Sequence, residues 1–196
     1  MVAVRLVGGL VLFGAGVAFL IESDLGTGPW DVLHVGLADA TGLSVGTIIV
    51  LLGAVLLAVQ FVMREPIGIG TLVNVAVIGP AADAVIWLVP DTELLAPRLA
   101  LMLAGPVLVA VGSGYYLGVH LGVGPRDGLM TAVARRTPLA LRSARFSVEA
   151  TALVVGWALG GPVGVGTIWF AISIGPLVHW CYDRLALPTD EPLHGT

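Results

Sequence analysis

The sequence predicts an all-α polytopic membrane protein: six transmembrane helices as two inverted three-helix repeats, each with a short extra helix. Three observations support this fold class. The 196 residues are 57% hydrophobic and 11% charged, which leaves too little polar material to cover a soluble domain. The chain contains six long apolar runs, and its second half repeats its first half 96 residues later. A β-barrel would show short alternating segments instead.

The six apolar runs are the predicted membrane spans, since a helix of ~20 apolar residues crosses a bilayer. We place them at residues 5–21, 45–63, 71–89, 99–119, 146–159 and 167–182. The fifth span is short and ends at Gly160-Gly161-Pro162. Residues 1–187 are predicted to form a single membrane domain, and residues 188–196 a polar, disordered tail.

The internal repeat covers residues 5–90 and 99–185. Between residues 25 and 80, 19 of 56 positions are identical to the positions 96 residues later. This similarity indicates a duplication. Because each unit holds an odd number of spans, the second unit enters the membrane upside down, a plan that recurs in secondary transporters.

Arginine placement predicts that both termini lie inside, since cytoplasmic loops carry the excess of basic residues. With this orientation only Arg98 lies outside. The other eight arginines lie inside: Arg5, Arg64, Arg126, Arg135, Arg136, Arg142, Arg145 and Arg184.

A glycine–proline motif follows the first span of each repeat. It reads Gly26-Thr27-Gly28-Pro29-Trp30-Asp31 in the first repeat and Gly122-Val123-Gly124-Pro125-Arg126-Asp127 in the second. Paired glycines permit a sharp turn, and proline suits the first position of a helix. The motif therefore predicts a short extra helix in each unit, which either lies at the interface or re-enters the membrane.

The paired motifs are the predicted substrate site. Discontinuous segments at matching places in inverted halves are typical of transport sites, and two helix starts facing one cavity would attract anions or carbonyl oxygens. The predicted substrate-binding residues are Gly26, Gly28, Trp30, Asp31, Gly122, Gly124, Arg126 and Asp127. Two simpler interpretations compete: Asp31 and Asp127 cap their helices, and Trp30 is an interfacial anchor.

A second motif, Pro-x-Gly-x-Gly-Thr, opens the third and sixth spans. Thr71 and Thr167 can cap these helix starts. Gly79-Pro80 and Gly175-Pro176 then fall near mid-membrane, where proline frees a carbonyl and bends a helix. The bend serves as a gate hinge, a substrate carbonyl or a packing shape, and the sequence leaves these open.

Ionisable residues inside spans are functional candidates. Asp83 and His179 occupy matching places beyond the two prolines and are the predicted proton-coupling pair. Arg145 and Glu149 are predicted to form an i,i+4 ion pair. Arg135-Arg136 is interpreted as an orientation signal or a lipid headgroup contact.

The residue pattern excludes other classes of function. The lone Cys181 excludes an intramolecular disulfide and a cysteine metal cluster. No metal site, cofactor or nucleic-acid partner is expected, and few candidate catalytic groups remain, so an enzyme is not expected. The expected partners are the lipid bilayer and an unidentified small molecule. The 27 glycines allow close helix packing within one chain or in a homo-oligomer.

The two glycine–proline motifs, the segments 68–71 and 164–167, and the pattern Arg145, Glu149, Gly156-Trp157 resemble the YczE/YyaS/YitT-like family of bacterial integral membrane proteins. The resemblance covers residues 5–185. It implies a location in the bacterial cytoplasmic membrane and the transport of a small molecule.

The leading functional hypothesis is a secondary transporter or exporter that rocks its two halves around the paired motifs. Two alternatives stay open. One is a channel or facilitator, in which the short helices meet without coupling. The other is a non-transporting accessory protein for a biosynthetic pathway, for which Arg135 and Arg136 would matter more than Asp31, Arg126 and Asp127.

Overall fold

The computed structural model describes residues 1–90 and 92–188, and within these ranges it contains helices and no strands. The eight helices are α1 (Val2–Glu22), α2 (Pro29–Thr41), α3 (Val45–Val62), α4 (Ile69–Leu88), α5 (Leu95–Leu117), α6 (Pro125–Arg136), α7 (Leu141–Ala158) and α8 (Val165–Leu185). The predicted tail lies outside the described residues, apart from Pro188.

Five helices in the described part of the chain are long and apolar enough to cross a membrane: α1, α3, α4, α5 and α8. They match five of the six predicted spans. Helix α7 covers the remaining one but begins at Leu141 rather than at Phe146. Its first turns carry Arg142, Arg145 and Glu149, and these charges set it apart from the five. The sixth span therefore stays a prediction.

The two short helices begin where the sequence predicts. Pro29 and Pro125 occupy their first turns, after Gly28 and Gly124 as N-cap residues. No side chain makes a capping hydrogen bond at either start. The interpretation of Asp31 and Asp127 as capping residues is therefore wrong, because neither carboxylate accepts a hydrogen bond from a backbone N–H at its helix start.

Helices α1 and α5 cross at the centre of the fold, where glycines allow close contact. A Cβ atom added at Gly9 would lie 2.7 Å from the carbonyl oxygen of Gly112, and one at Gly16 would lie 2.6 Å from that of Gly105. Lipid is as apolar as these helices, so close packing of small residues, rather than removal of apolar surface from water, drives their association. Leu10, Val17, Val109 and other buried apolar residues fill the space around this crossing.

Each glycine–proline loop packs onto the start of a helix from the other half. The N–H of Gly166 donates to the carbonyl of Leu25 at 2.7 Å, and the N–H of Gly70 donates to that of Leu121 at 2.8 Å. Gly26 and Gly122 turn with φ of 101° and 123°, a region that favours glycine.

The predicted caps of α4 and α8 are confirmed. The hydroxyl of Thr71 accepts a hydrogen bond from the N–H of Gly68 at 3.3 Å, and Thr167 does the same for Gly164 at 3.2 Å. These bonds satisfy one backbone donor at each helix start, where four lack a partner within the helix.

Proline lies inside α4 and α8, and both helices continue through it. In the first half, Gly79 packs so closely on Gly46 of α3 that a Cβ atom would overlap the Gly46 carbonyl. At the matching Gly175, a Cβ atom would meet nothing within 4 Å. Gly79 thus serves packing, and the roles of gate hinge and substrate carbonyl stay predictions.

Replacing Gly16 with alanine is expected to destabilise the fold by about 1–3 kcal/mol, because the new methyl group overpacks the α1–α5 crossing. Gly8 lies on the same helix, and a Cβ atom added there would meet nothing within 4 Å, so Gly8→Ala is the matched control. Thermal unfolding in detergent, followed by tryptophan fluorescence, should show a lower Tm for Gly16→Ala only. Equal Tm values for the two variants would contradict the close crossing.

Candidate functional site

The two short helices begin at one cavity of about 310 Å³. This volume is at the lower end of small-molecule pockets, which span ~300–1,000 Å³. Both halves of the chain line it: the first contributes Gly28, Pro29, Trp30 and Asp31, and the second contributes Gly124, Pro125, Arg126 and Asp127. Much of the remaining wall is apolar and includes Phe13, Ile49, Leu56, Ile78, Val109 and Phe170.

Six of the eight predicted site residues therefore meet at one place. The other two, Gly26 and Gly122, do not line the cavity. They form the loops that pack on Gly164 and Gly68. These two glycines position the motifs, whereas the motif residues from Gly28 and from Gly124 onward face the cavity.

Asp31, His34 and Arg126 form a polar cluster on one side of the cavity. Asp31 and His34 are 2% and 1% exposed, and Asp31 Oδ1 lies 3.2 Å from His34 Nδ1. A guanidinium nitrogen of Arg126 lies 3.7 Å from Asp31 Oδ1 and 3.5 Å from the ring nitrogens of His34. Since a buried charge needs a partner, this pairing allows Asp31 to lie away from water, while the Arg126 side chain stays 23% exposed.

Trp30 belongs to the same cluster. The guanidinium carbon of Arg126 lies 5.3 Å from the centre of a Trp30 ring, within the range of a cation–π contact. Trp30 is only 8% exposed. The interpretation of this residue as an interfacial anchor is therefore wrong, because its side chain lies inside the fold at the cavity.

A second polar group surrounds Gly124 on the opposite motif. A Cβ atom at this glycine would lie 3.3 Å from the Tyr116 hydroxyl, 3.4 Å from Asn74 Nδ2 and 3.6 Å from Asp127 Oδ2. All three side chains also line the cavity. Within the described residues, the Asp127 carboxylate has no hydrogen bond and no ion pair within 4 Å. It is thus a half-buried carboxylate that faces the cavity without a direct bond.

Helix α7 contributes the predicted ion pair. Arg145 Nε donates to Glu149 Oε1 at 2.9 Å, and both residues line the cavity. The i,i+4 pairing is confirmed. The structure also shows that this pair lies at the edge of the cavity, which the spacing alone did not indicate.

Burial shifts two ionisable groups on the short helices, which lie outside the five candidate spans. Desolvation lowers the pKa of His34, whereas the hydrogen bond that the Asp31 carboxylate accepts from its ring raises it. Desolvation raises the pKa of Asp127, while Arg145 and Arg126 lower it and Glu149 raises it further. His34 is therefore favoured in its neutral form, and the Asp127 carboxyl binds a proton more readily than an exposed aspartate.

The predicted proton-coupling residues lie elsewhere. Asp83 accepts hydrogen bonds from the Ser44 hydroxyl at 2.6 Å and from the Gly46 N–H at 2.7 Å, at the start of α3. His179 is largely exposed and lies 3.5 Å from Asp183. Neither residue lines the cavity. A role for either in proton coupling stays a prediction.

Sequence reasoning missed two polar residues that position the second motif. Gln60 is fully buried in α3, and its Nε2 donates to the Pro125 carbonyl at 2.8 Å, at the start of α6. Tyr116 of α5 is 3% exposed beside Gly124. A lone glutamine in an apolar span was the available signal for Gln60, since such residues form hydrogen bonds between helices.

Arg135 and Arg136 bind a protein carboxylate. Glu65, with a side chain 4% exposed, accepts from Arg135 at 3.1 Å and from Arg136 at 2.6 Å. Arg136 also donates to the Met63 carbonyl. These contacts join the end of α6 to the connection between α3 and α4, a role that neither an orientation signal nor a lipid contact predicts.

These features define a polytopic helical membrane protein with a polar cluster in an internal cavity. The chain belongs to the family described as "Family of unknown function (DUF6198)", whose model matches residues 3–183. No solved structure matches the chain.

Three relatives cover most of the chain. An uncharacterized protein of Haemophilus influenzae is 36% identical over 183 residues, or 90% of this chain and 81% of that protein. The uncharacterized membrane protein YczE of Bacillus subtilis is 34% identical, with coverage of 92% and 82%. The uncharacterized protein YyaS of the same organism is 30% identical, with coverage of 87% of each chain. The resemblance to the YczE and YyaS proteins is thus confirmed.

Glu65→Gln is expected to lower the free energy of unfolding by about 1–3 kcal/mol, because two charge-assisted hydrogen bonds weaken at a buried position. Glu93 is exposed, so Glu93→Gln removes the same charge without such contacts and serves as the control. Thermal unfolding in detergent at low salt measures both. An unchanged Tm for Glu65→Gln would mean that these ion pairs contribute nothing to stability.

Proposed function

We propose that the protein is a secondary transporter of a small molecule in the bacterial cytoplasmic membrane, working by alternating access of two inverted repeats. One observation carries this proposal: both glycine–proline helix starts, which lie 96 residues apart, line the same cavity. Helix starts of broken segments that meet between two halves are typical of transporter sites. The proposal includes no enzymatic activity.

Matched contacts support the inverted repeat. The counterpart of Gly9 in the second repeat is Gly105, and the counterpart of Gly112 in the first repeat is Gly16. Gly9 contacts Gly112, and Gly105 contacts Gly16, both at the α1–α5 crossing. Trp30 and Arg126 are counterparts of each other, and they are in contact. Two counterparts can meet only near an axis that relates the halves, so the cavity lies close to that axis.

Matched backbone turns support it as well. Asp24 and His120 have positive φ of 47° and 55°, and Arg64 and Gly160 have 54° and 96°. Each pair is 96 residues apart, like Gly26 and Gly122. Left-handed conformations are rare outside glycine, so their recurrence at matching positions is a strong sign of duplicated structure.

The mechanism follows from two contacts that join the halves. Leu25 of the first repeat bonds to Gly166 of the second, and Leu121 of the second bonds to Gly70 of the first. In the proposed topology the first contact closes the outer side and the second closes the inner side. Opening one while keeping the other exposes the cavity to one side at a time. Proton coupling through Asp83 or His179 stays a hypothesis within this mechanism.

The proposed orientation, with both termini inside, predicts opposite labelling of two loops. The test uses Glu93→Cys and Leu139→Cys, each in a Cys181→Ser chain; both target residues are exposed. A membrane-impermeant maleimide applied to intact cells should label position 93 and spare position 139 until the membrane is permeabilised. The reverse pattern would overturn the orientation, and labelling of both positions in intact cells would overturn an inverted arrangement.

Ligand binding and flux test the transporter proposal directly. A thermal-shift screen of the purified protein against metabolites, lipids and antibiotics should find a stabilising compound, because a ligand bound by the native state raises Tm. That compound should then accumulate in proteoliposomes against its gradient when a proton gradient is imposed. Downhill flux alone would favour the facilitator alternative, and binding without flux would favour the accessory-protein alternative.

A further inference from the structure

The charged groups that line the cavity leave one carboxylate without a partner among the described residues. Three acidic residues face it, Asp31, Asp127 and Glu149, against two arginines, Arg126 and Arg145. Arg126 pairs with Asp31 at 3.7 Å, and Arg145 pairs with Glu149 at 2.9 Å. Asp127 remains: it is half-buried, faces the cavity, and has no hydrogen bond to its carboxylate and no ion pair within 4 Å among the described residues.

The partial positive charges at the starts of α2 and α6 already lie beside carboxylates of the protein itself. Asp31 and Asp127 lie in the first turns of α2 and α6, where the helix dipole favours negative charge. These two carboxylates thus already interact with the helix N-termini that could otherwise attract an anion. Arg126, the cation nearest both motifs, already contacts Asp31, His34 and Trp30.

The space beside Asp127 suits a molecule with an apolar body. Asn74, Tyr116 and Asp127 converge on Gly124, where a Cβ atom would lie in tight contact with the Tyr116 hydroxyl at 3.3 Å and with Asn74 Nδ2 at 3.4 Å. Val75, Ile78, Val109 and other aliphatic and aromatic side chains form the adjoining wall. Beside Gly175, which also lines the cavity, a Cβ atom would meet no neighbour within 4 Å, so the packing is open toward α8.

We infer that the cavity binds a small amphipathic organic cation, with its charged nitrogen against the Asp127 carboxylate and its apolar part on the adjoining wall. The inference rests on the proposed function in taking this cavity as the transport site. It specifies an organic cation as the class of substrate, in place of the anion that the helix starts alone predict.

A proton and the cation compete for the same carboxylate. When the cation binds to protonated Asp127, the O–H bond breaks, the proton leaves to water, and the positive charge of the ligand takes its place. The other titratable or charged groups facing the cavity are Asp31 and His34 on α2, Arg126 on α6, Tyr116 on α5, and Arg145 and Glu149 on α7. Asp31 with Arg126 and Glu149 with Arg145 are paired as acid with base. Burial favours the neutral form of His34, and a phenol such as that of Tyr116 keeps its proton near neutral pH, so Asp127 is the group that exchanges.

Calorimetric titration of the full chain in detergent tests the inference with two probes of fixed charge. Benzyltrimethylammonium is the cation, and phenylmethanesulfonate is an anion of similar size and shape. We expect the cation to bind, with an affinity that rises by up to about tenfold per pH unit while Asp127 titrates. In that pH range the heat should depend on the ionisation enthalpy of the buffer, which reports the released proton.

Variants locate the effect. Asp127→Asn should weaken cation binding at least about tenfold and abolish its pH dependence and proton release. Gly124→Ala places a methyl group beside the carboxylate and against Tyr116 and Asn74, on a backbone that accepts alanine (φ −62°, ψ 155°), so cation binding should weaken; a Tm measured in parallel checks that the fold is retained. Asp39→Asn makes the same replacement at an exposed position of α2 and should leave binding unchanged.

Three results would overturn the inference: equal binding of the two probes, binding of the anion alone, or cation binding that Asp127→Asn and Gly124→Ala leave intact. None of them decides the transporter proposal, because flux of a compound found by the screen measures that separately. A transported anion would keep the transporter and reject the organic cation.

Discussion

The structure depends on the close approach of two glycine loops to two helix starts. At each contact a backbone N–H meets a carbonyl from the other half of the chain, Gly166 with Leu25 and Gly70 with Leu121. Side chains larger than hydrogen would hold these segments apart and leave the backbone groups without their partners, and an unpaired backbone group away from water costs free energy. The positions of the short helices, and of the cavity between their starts, follow from these contacts.

Placing charge away from water is the second constraint, and the protein meets it locally. Arg126 lies between Asp31, His34 and the ring of Trp30, and Glu65 holds Arg135 and Arg136 at the end of the same helix. Breaking a buried ion pair is costly because it leaves one charge uncompensated. The α6 helix is therefore positioned by polar contacts at both ends, and α2 shares the contact with Arg126 and also packs through Gly36 on α7.

Local features were predictable from the sequence, and contacts between distant segments were not. Proline at a helix start, the Thr71 and Thr167 caps and the Arg145–Glu149 pair each depend on residues within four positions. The Gln60–Pro125 and Glu65–Arg136 bonds join segments more than 60 residues apart. Apolar residues surround a lipid-embedded helix on every side, so its pattern does not reveal which face meets protein. The partners of Asp83 were unpredictable for the same reason, since the α3 start that it binds lies beside it only in the fold.

The contact between Trp30 and Arg126 requires different residues at two positions that lie 96 residues apart. Two separate copies of a half-length protein, assembled in this way, would place identical residues against each other at this point. Two arginines would repel, and two tryptophans would leave Asp31 without its guanidinium partner. In a single chain the two matched positions carry different residues. A cluster of this kind thus needs two different side chains at matched positions, which one chain provides and a symmetric pair of identical chains does not.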